Sequence, residues 1–295
     1  MFLFQEAKAF KYYLPKQVFK GKIQFGFDGK REKVAIELLS RVPANFKSIS
    51  RFETNKDTLN FWHSAIENDS LVFKLSNGKD IDTATVFLRK KTIDSLKISS
   101  NITSTLDLKD TLIFTSNNPI IEIDTTKVNL IDKDSTDIPF QFIKDQHSNK
   151  IRFLFNKKHN DNYSLTLQPN AFSDIYNTKN DSLKYTFKTK EPEDYGSIIL
   201  TINKKTPSPV IIELLSENKK IVIRKKAIAN STSIDFNLLP PGKYLIRGII
   251  DYNNNNKWDT GSYLNKIQPE KVIYYPEVFN IRANWHINSE VFTIN

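Results

Sequence analysis

The stretch from Leu238 to Asp251, L-L-P-P-G-K-Y-L-I-R-G-I-I-D, contains a tight turn followed by a long apolar segment. Pro240, Pro241 and Gly242 are residues that favour turns. The segment from Tyr244 to Ile250 is rich in aromatic and β-branched side chains, which pack well on a pleated sheet. The stretch therefore predicts a core strand of an all-β domain.

This strand runs directly into a polar loop, D-Y-N-N-N-N-K-W-D-T-G-S. Its oxygen-bearing side chains fall at the first, third, fifth and ninth positions of a calcium loop, where alternate residues converge on one ion. Asp259 contributes either directly or through a water, and the residue at the seventh position offers its backbone carbonyl. The sequence therefore predicts a Ca²⁺ site with these ligands: Asp251, Asn253, Asn255, Lys257 and Asp259.

Two departures from the full motif affect the expected affinity. The sixth position, usually Gly, is Asn256, which tolerates a left-handed backbone better than most residues. The twelfth position, usually a bidentate Glu, is Ser262, so only two carboxylates serve the ion. We expect a weak calcium site with a structural role. The alternative is an Asn-rich hairpin tip that binds no metal, because Asn and Asp also favour turns for local hydrogen-bonding reasons.

The composition is that of a folded, strand-rich protein with more than one domain. The chain has 295 residues, 39% of them hydrophobic, and a formal net charge of +10. Its basic residues are scattered, so we expect no specific nucleic-acid binding. The absence of cysteine excludes disulfides and thiolate chemistry. No apolar stretch is long enough to span a membrane as a helix.

Strand-length segments recur about every ten residues, which is typical of tandem β-sandwiches. The charged segment 190–194 contains Pro192 and separates two strand-rich regions. We therefore predict three all-β domains, a β-sandwich-like domain over 1–91 and further β-sandwiches over 92–193 and 194–295. The phrase over 163–174 makes the second resemble a bacterial Ig-like module, which implies an Ig-like β-sandwich. The Pro-Gly-Lys-Tyr turn at 241–244 makes the third resemble a prealbumin-like or carboxypeptidase-regulatory-like β-sandwich.

Two local patterns refine this prediction. Segments 22–27 and 34–39 flank an Asp28-Gly29 turn, which predicts a hairpin. A triplet of Asp, Ser or Thr, and Leu recurs before alternating segments, as expected if its polar residues close a turn and its Leu opens a strand. The triplets are Asp57-Thr58-Leu59, Asp69-Ser70-Leu71, Asp94-Ser95-Leu96, Asp110-Thr111-Leu112 and Asp181-Ser182-Leu183.

No readable catalytic motif is present, so we predict that the chain is not an enzyme. The four histidines lie far apart, which favours surface or turn positions over a shared metal site. Trp258 and Trp285 are candidates for stacking on a sugar. We favour instead that Trp258 folds back over its loop and that Trp285, with Arg282, contributes to the core and rim of a late strand.

The C-terminal third carries a family resemblance. The segments 251–261, Gln268-Pro269-Glu270, Tyr274-Tyr275-Pro276 and Arg282-Ala283-Asn284-Trp285 look like the end of the Ig-like-domain surface lipoproteins of Bacteroidota, of the SbsA-type Ig-like family. The resemblance is close over 194–285 and loose elsewhere. It implies a cell-envelope location, at the outer-membrane surface or as a periplasm-facing lipoprotein. Membrane attachment would be only through a lipid anchor that this chain lacks.

The start of the chain bears on this resemblance. Met1-Phe2-Leu3-Phe4 resembles the inside of a strand and has no basic segment before it. Either the chain is cut from a longer precursor that carries the lipoprotein signal, or a natural start pairs as a first strand. Both alternatives stay open.

Two functional interpretations remain. The first is a non-enzymatic spacer, scaffold or docking protein of the cell surface, whose partners are other envelope proteins or surface glycans. The second is an accessory module that binds carbohydrate or polyanions through the C-terminal aromatic residues and the basic surface.

Overall fold

A computed structural model describes residues 11–28, 34–53, 56–78, 80–218, 221–262 and 265–295. The chain forms two compact units, one made of residues up to Leu106 together with Asp110–Lys188, the other of Asp107–Lys109 together with Thr189–Asn295. The first unit contains two separate hydrophobic cores and the second contains one. The predicted strand at Met1–Phe4 lies outside the described residues.

The first core lies between two antiparallel sheets. Its strands are β1 (Lys11–Tyr12), β2 (Lys16–Phe19), β3 (Lys22–Asp28), β4 (Ala35–Leu38), β5 (Ser48–Phe52), β6 (Thr58–His63), β7 (Ser70–Ser76) and β8 (Ile81–Phe87). One sheet has the order β1-β3-β6-β5, with β2 also on β3, and the other has the order β4-β7-β8. Side chains on β3 alternate strictly between buried and half-buried, as expected for a strand with one face on a core.

The predicted hairpin between segments 22–27 and 34–39 is wrong. Strand β3 pairs with β6, whereas β4 pairs with β7 in the opposite sheet. Phe25 of β3 meets Phe73 of β7 across the core, with the two ring centroids 5.0 Å apart. Because each strand is apolar on one face only, stacking two sheets buries both apolar faces, and a hairpin in one sheet would not.

The second core of the first unit lies among three small sheets. Their strands are β9 (Ile98–Ser100), β10 (Leu112–Ser116), β11 (Ile120–Ile123), β12 (Val128–Ile131), β13 (Phe140–Lys144), β14 (Lys150–Phe155), β15 (Asn162–Leu167), β16 (Phe172–Asp174) and β17 (Leu183–Lys188). The sheet orders are β13-β14-β10-β9, β12-β15-β17 and β11-β16. A 3₁₀ turn at Thr125–Lys127 is capped by the Asp124 carboxylate.

The recurring Asp, Ser or Thr, Leu triplet marks the start of a strand at four of its five occurrences, at β6, β7, β10 and β17. The exception is Asp94-Ser95-Leu96, which lies in the connection before β9. There the Asp94 carboxylate accepts a hydrogen bond from Asn117 Nδ2 at 2.9 Å. The prediction that the triplet opens a strand is thus confirmed at four positions, and at the fifth the Asp94 side chain joins the connection to a neighbouring loop.

The second unit is built on two sheets around the third core. Its strands are β18 (Gly196–Lys204), β19 (Val210–Ser216), β20 (Val222–Ile228), β21 (Thr232–Leu239), β22 (Gly242–Ile250), β23 (Val272–Tyr274), β24 (Phe279–Ile281) and β25 (His286–Ile294). One sheet has the order β21-β18-β25 and the other the order β20-β19-β22-β23, with β24 also on β22. The pair β18 and β25 is parallel. A 3₁₀ turn at Pro192–Asp194 precedes β18.

The predicted all-β fold is confirmed, with several β-sheets packed around three hydrophobic cores. The described residues contain no α-helix. Nor does that part of the chain include a helix with the length and apolar character needed to cross a membrane. The independence of segments 1–91, 92–193 and 194–295 as folding domains stays a prediction, and limited proteolysis near Glu191–Asp194 is its test.

Candidate metal centre after strand β22

The polar loop begins where β22 ends, because Asp251 is the first residue beyond the buried pair Ile249 and Ile250. Asp251 is only 1% exposed, and its carboxylate accepts the backbone N–H of Asn255 at 3.1 Å and of Asn256 at 2.8 Å. Asn256 has a φ of +59°, which confirms the left-handed turn predicted at this position. The buried carboxylate therefore organises the turn that follows it.

The predicted side chains of the loop come together. The amide nitrogens of Asn253 and Asn255 donate to one oxygen of Asp259, at 2.7 and 2.5 Å. The side-chain oxygen of Asn253 and that of Asp251 both accept the same backbone N–H, that of Asn255, each at 3.1 Å. The side chains of four predicted ligands, Asp251, Asn253, Asn255 and Asp259, are thus linked either by a direct hydrogen bond or by a backbone N–H that two of them accept.

The fifth predicted ligand, Lys257, lies at the exposed tip of the loop. Its backbone N–H donates to Asn255 Oδ1 at 2.8 Å, while its carbonyl accepts no hydrogen bond from any described residue. Ser262, the twelfth position, exchanges backbone hydrogen bonds with Ile267 at 2.8 and 2.9 Å. Ser262 therefore belongs to the turn after the loop, consistent with its exclusion from the predicted ligands.

Glu270 is the residue of this site that sequence reasoning missed. It is 6% exposed, and its carboxylate accepts the backbone N–H of Tyr252 at 2.9 Å and of Asp259 at 3.0 Å. Its own N–H donates to the Asp259 carbonyl at 3.1 Å. Glu270 thus closes the loop across both ends. The signal in the sequence was an acidic residue two positions before strand β23, but its approach to Asp251 is set by the fold.

The electrostatics of the loop are unbalanced. Among the ion pairs of the described residues, none involves Asp251, Asp259 or Glu270. A cation close to the loop, the Lys225 ammonium, donates instead to the Asn256 carbonyl. Buried charges in proteins are normally paired or coordinate a metal. Backbone N–H groups compensate these carboxylates only in part.

The oxygen donors suit a hard cation such as Ca²⁺, which binds carboxylate, amide and backbone oxygens. Within the described ranges, no three His, Cys, Asp or Glu side chains are grouped closely enough to hold a metal by themselves. A cation in this loop would therefore depend on the amide oxygens of Asn253 and Asn255 and on the Lys257 carbonyl. Both amides would have to turn their oxygens, rather than their NH₂ groups, toward the ion.

The positions of the two tryptophans differ from the prediction in part. Trp258 does fold back on its loop, because its indole N–H donates to the Glu270 carbonyl at 3.1 Å, yet it is 46% exposed. The prediction that Trp285 and Arg282 contribute to core and rim of a strand is wrong. Trp285 lies in the turn before β25 and is 44% exposed, with the Arg282 guanidinium 5.0 Å from its ring centroid. The turn geometry, which no local pattern marks, keeps this ring outside the core.

The four histidines differ in exposure, and the prediction holds for three of them. His147 and His159 are exposed turn residues, as predicted, and His286 is exposed at the start of β25, where it meets Ser197 Oγ at 2.8 Å. The surface prediction is wrong for His63, which is 3% exposed on β6. His63 is buried because the rings of Phe46 and Phe61 pack against its imidazole, with both ring centroids 6.0 Å away.

No protein-family model matches this chain, and no curated protein matches it. Similar solved structures include native alpha-2-macroglobulin from Escherichia coli, spanning domains MG0-NIE-MG1, at 11% identity and a TM-score of 0.28, with 61% of this chain and 71% of that chain covered. Domains A168-A170 of titin match at 10% identity and a TM-score of 0.22, covering 94% and 98%. The Bacillus anthracis TIE protein matches at 12% identity and a TM-score of 0.23, covering 98% and 58%. At these TM-scores the matches carry no argument about function.

Proposed function

We propose that this chain is a non-enzymatic scaffold or spacer of the cell envelope, in which Ca²⁺ stiffens the loop after β22. The observation that carries the calcium part is the burial of Asp251 and Glu270 without a basic partner among the described residues. A divalent cation held by Asp251, Asn253, Asn255, Asp259 and the Lys257 carbonyl would supply the missing positive charge.

The scaffold part rests on the succession of three separately cored β-sandwiches. Each core is built from its own strands, so each sandwich can serve as a separate docking surface for a partner protein or glycan. The resemblance to Bacteroidota surface lipoproteins supports an envelope location, with other envelope proteins or surface glycans as partners. Fractionation of the native cells, followed by cross-linking and identification of bound proteins, tests this part.

The calcium site is tested by thermal melts of the whole chain with millimolar Ca²⁺ and with chelator. A ligand that binds only the folded state adds RT ln(1 + [L]/Kd), which is about 1.4 kcal/mol at ten times Kd. Wild type should melt at a higher temperature with Ca²⁺, and Asp251→Ala and Asp259→Asn should lose the difference. Mg²⁺ should substitute poorly, because it requires a tighter octahedral shell.

Asp235→Asn is the matched control, since Asp235 is exposed on β21 of the same unit and lies outside the loop. This variant should keep the full calcium response. If calorimetry detects no heat of binding at millimolar Ca²⁺ and the wild-type melt ignores chelator, the loop is a metal-free Asn-rich turn.

A second candidate function, glycan binding, is favoured by the exposure of the Trp258 and Trp285 rings. Exposed aromatic faces can stack on the apolar faces of sugars. A glycan array with wild type and with Trp258→Ala and Trp285→Ala distinguishes this function from a pure scaffold. Loss of a wild-type glycan signal in either variant would favour the binding module.

A further inference from the structure

The first unit contains a cavity of about 580 Å³ lined by both of its β-sandwiches. Residues next to β2, β6 and β8 line it from the first sandwich, and the turn after β16 lines it from the second. The Tyr176 ring packs over Gly21, where an added Cβ would come within 2.5 Å of the ring and 2.7 Å of the His63 carbonyl. Cavities of roughly 300 to 1,000 Å³ are the usual size for small-molecule sites.

Two buried polar groups of residues lining this cavity have no hydrogen-bond partner in the described part of the chain. They are His63 Nε2 and the Tyr176 hydroxyl. His63 Nδ1 lies 2.9 Å from the Ser64 carbonyl, and since a carbonyl can only accept, Nδ1 carries the proton and Nε2 presents a lone pair. Burial lowers the pKa of His63 and raises that of Tyr176, so both groups are neutral at pH 7.

An unpaired buried polar group destabilises the folded state, so natural structures rarely leave two together without a ligand or a bound water. His63 Nε2 needs a donor, and the Tyr176 hydroxyl can donate or accept. The hydroxyl groups of a sugar supply both kinds of partner. A fully ionised anion such as sulfate supplies no donor for the His63 lone pair.

The wall of the cavity is strongly basic. Four of its cations, Lys20, Lys47, Arg89 and Lys90, form no side-chain ion pair with any described residue. The fifth cation, Lys91, donates to the carbonyls of Gln17 and Val18 at 2.7 and 3.0 Å.

Asp174 is the only acidic residue among the described residues that line this cavity. Its carboxylate is already occupied by Asn118 Nδ2 at 2.9 Å and by the backbone N–H groups of Tyr176 and Thr178 at 2.9 and 2.8 Å. The free charges of the wall are therefore positive, and low-dielectric walls of one sign concentrate ligands of the other.

We propose that this cavity binds an acidic saccharide, whose carboxylates meet the Arg89 and Lys90 side chains and whose hydroxyl groups reach His63 and Tyr176. The apolar part of the lining, including Ile66, Ile93 and Ile175, contacts the carbon faces of the sugar rings. The inference does not depend on the calcium loop or on the scaffold role, because every residue it uses belongs to the first unit.

The test is isothermal calorimetry of the whole chain with digalacturonate, with cellobiose as a neutral disaccharide and with sulfate as an anion that carries no hydroxyl donor. Digalacturonate should bind at least about tenfold more tightly than either of the others, because only it offers both charge and hydroxyl groups. Equal binding of sulfate and digalacturonate overturns the saccharide assignment in favour of a simple anion site. No heat with millimolar digalacturonate overturns the proposal entirely.

Two variants locate the site. Arg89→Gln with Lys90→Gln should weaken digalacturonate binding about tenfold, whereas Arg152→Gln with Lys184→Gln removes two exposed cations of the second sandwich and should leave it unchanged. Tyr176→Phe removes only an unpartnered hydroxyl and should weaken binding without destabilising the free protein. Equal loss in both double variants shows binding by general surface charge and contradicts the proposal. Unchanged affinity in Tyr176→Phe contradicts it as well.

Discussion

The loop after β22 and the cavity of the first unit treat buried polar groups in opposite ways. In the loop, the Asp251 carboxylate accepts the backbone N–H groups of Asn255 and Asn256 from its own segment, and the Glu270 carboxylate accepts those of Tyr252 and Asp259. In the cavity, His63 Nε2 and the Tyr176 hydroxyl have no partner among the described residues. A loop can satisfy its own groups because the donors are a few residues away, whereas groups brought together from distant strands depend on what fills the space between them.

Within the described residues, the loop and the cavity also carry unpaired charges of opposite sign. The loop holds carboxylates without a basic partner, and the cavity wall holds Lys and Arg side chains without an acidic partner among the described residues. These opposite charges are the basis of the two proposals, a cation for the loop and an acidic saccharide for the cavity. The comparison makes four predictions about stability, which need no ligand.

The largest effect is expected from Gly21→Ala, which alters the cavity at its base. Gly21 has a φ of +83°, and an added Cβ would lie 2.7 Å from the His63 carbonyl. A left-handed non-Gly residue together with overpacking should cost about 3 kcal/mol of the free energy of unfolding. Urea denaturation measures it. Gly26→Ala is the control, because its added Cβ meets nothing closer than 3.4 Å, and an equal loss in both variants would contradict the role given to Gly21.

Glu270→Gln should cost about 2 kcal/mol, measured in chelator so that no metal contributes. The amide keeps one oxygen but turns an NH₂ group toward a backbone N–H that the carboxylate now accepts. Urea denaturation of Glu277→Gln, at an exposed position in the same unit, serves as the reference and should show no loss. Equal stabilities of Glu270→Gln and wild type would mean that Glu270 does not close the loop.

Asp132, like Asp251, is a buried carboxylate that accepts two backbone N–H groups, but it also forms an ion pair with Lys158. Its Oδ1 accepts the N–H groups of Asp134 and Thr136, each at 3.0 Å, and its Oδ2 accepts the Lys158 ammonium at 2.8 Å. The Lys158 hydrogen bond, followed by that from Thr136, lowers the pKa of Asp132 to about 2. Because the folded pKa lies below the unfolded value, the stabilisation is complete above about pH 4 and is lost as pH falls toward 2.

Asp132→Asn keeps the two backbone hydrogen bonds and removes the charge. It should therefore be less stable than wild type at pH 6, with the difference shrinking between pH 4 and pH 2. Thermal melts across this range measure the difference, and Asp134→Asn, which changes an exposed carboxylate two residues away, should show no such trend. A constant difference at all pH values would contradict the Lys158 pairing.

The smallest effect is expected from Tyr176→Phe in the free protein, within about 0.5 kcal/mol of wild type or slightly stabilised, because an unpartnered hydroxyl is removed. Tyr163→Phe is the matched comparison. Its hydroxyl accepts the Lys158 N–H at 2.8 Å, so its loss should cost about 1 kcal/mol. Urea denaturation that ranks the two variants in reverse order would show that Tyr176 is satisfied in the free protein.

Much of the fold could be predicted because strand patterns are local. The core strands β3, β7, β15 and β22 all coincide with apolar or alternating segments. Partner choice was less accessible, as the hairpin prediction between 22–27 and 34–39 shows. Pairing depends on which apolar faces stack across a core, and that information is distributed over strands such as β6 and β7 that come later in the chain.

The sequence by itself determined the loop from Asp251 to Asp259, since all the predicted ligands lie within nine contiguous positions and the two left-handed residues, at 254 and 256, are both Asn. Only the tertiary structure added Glu270, whose approach requires the chain to return from β22 toward β23. Only the tertiary structure likewise formed the cavity, because its lining runs from Gln17 to Asn177 and no local spacing relates His63 to Tyr176. Contiguous residues converge through backbone geometry alone, whereas distant residues converge only when two sandwiches pack within one unit.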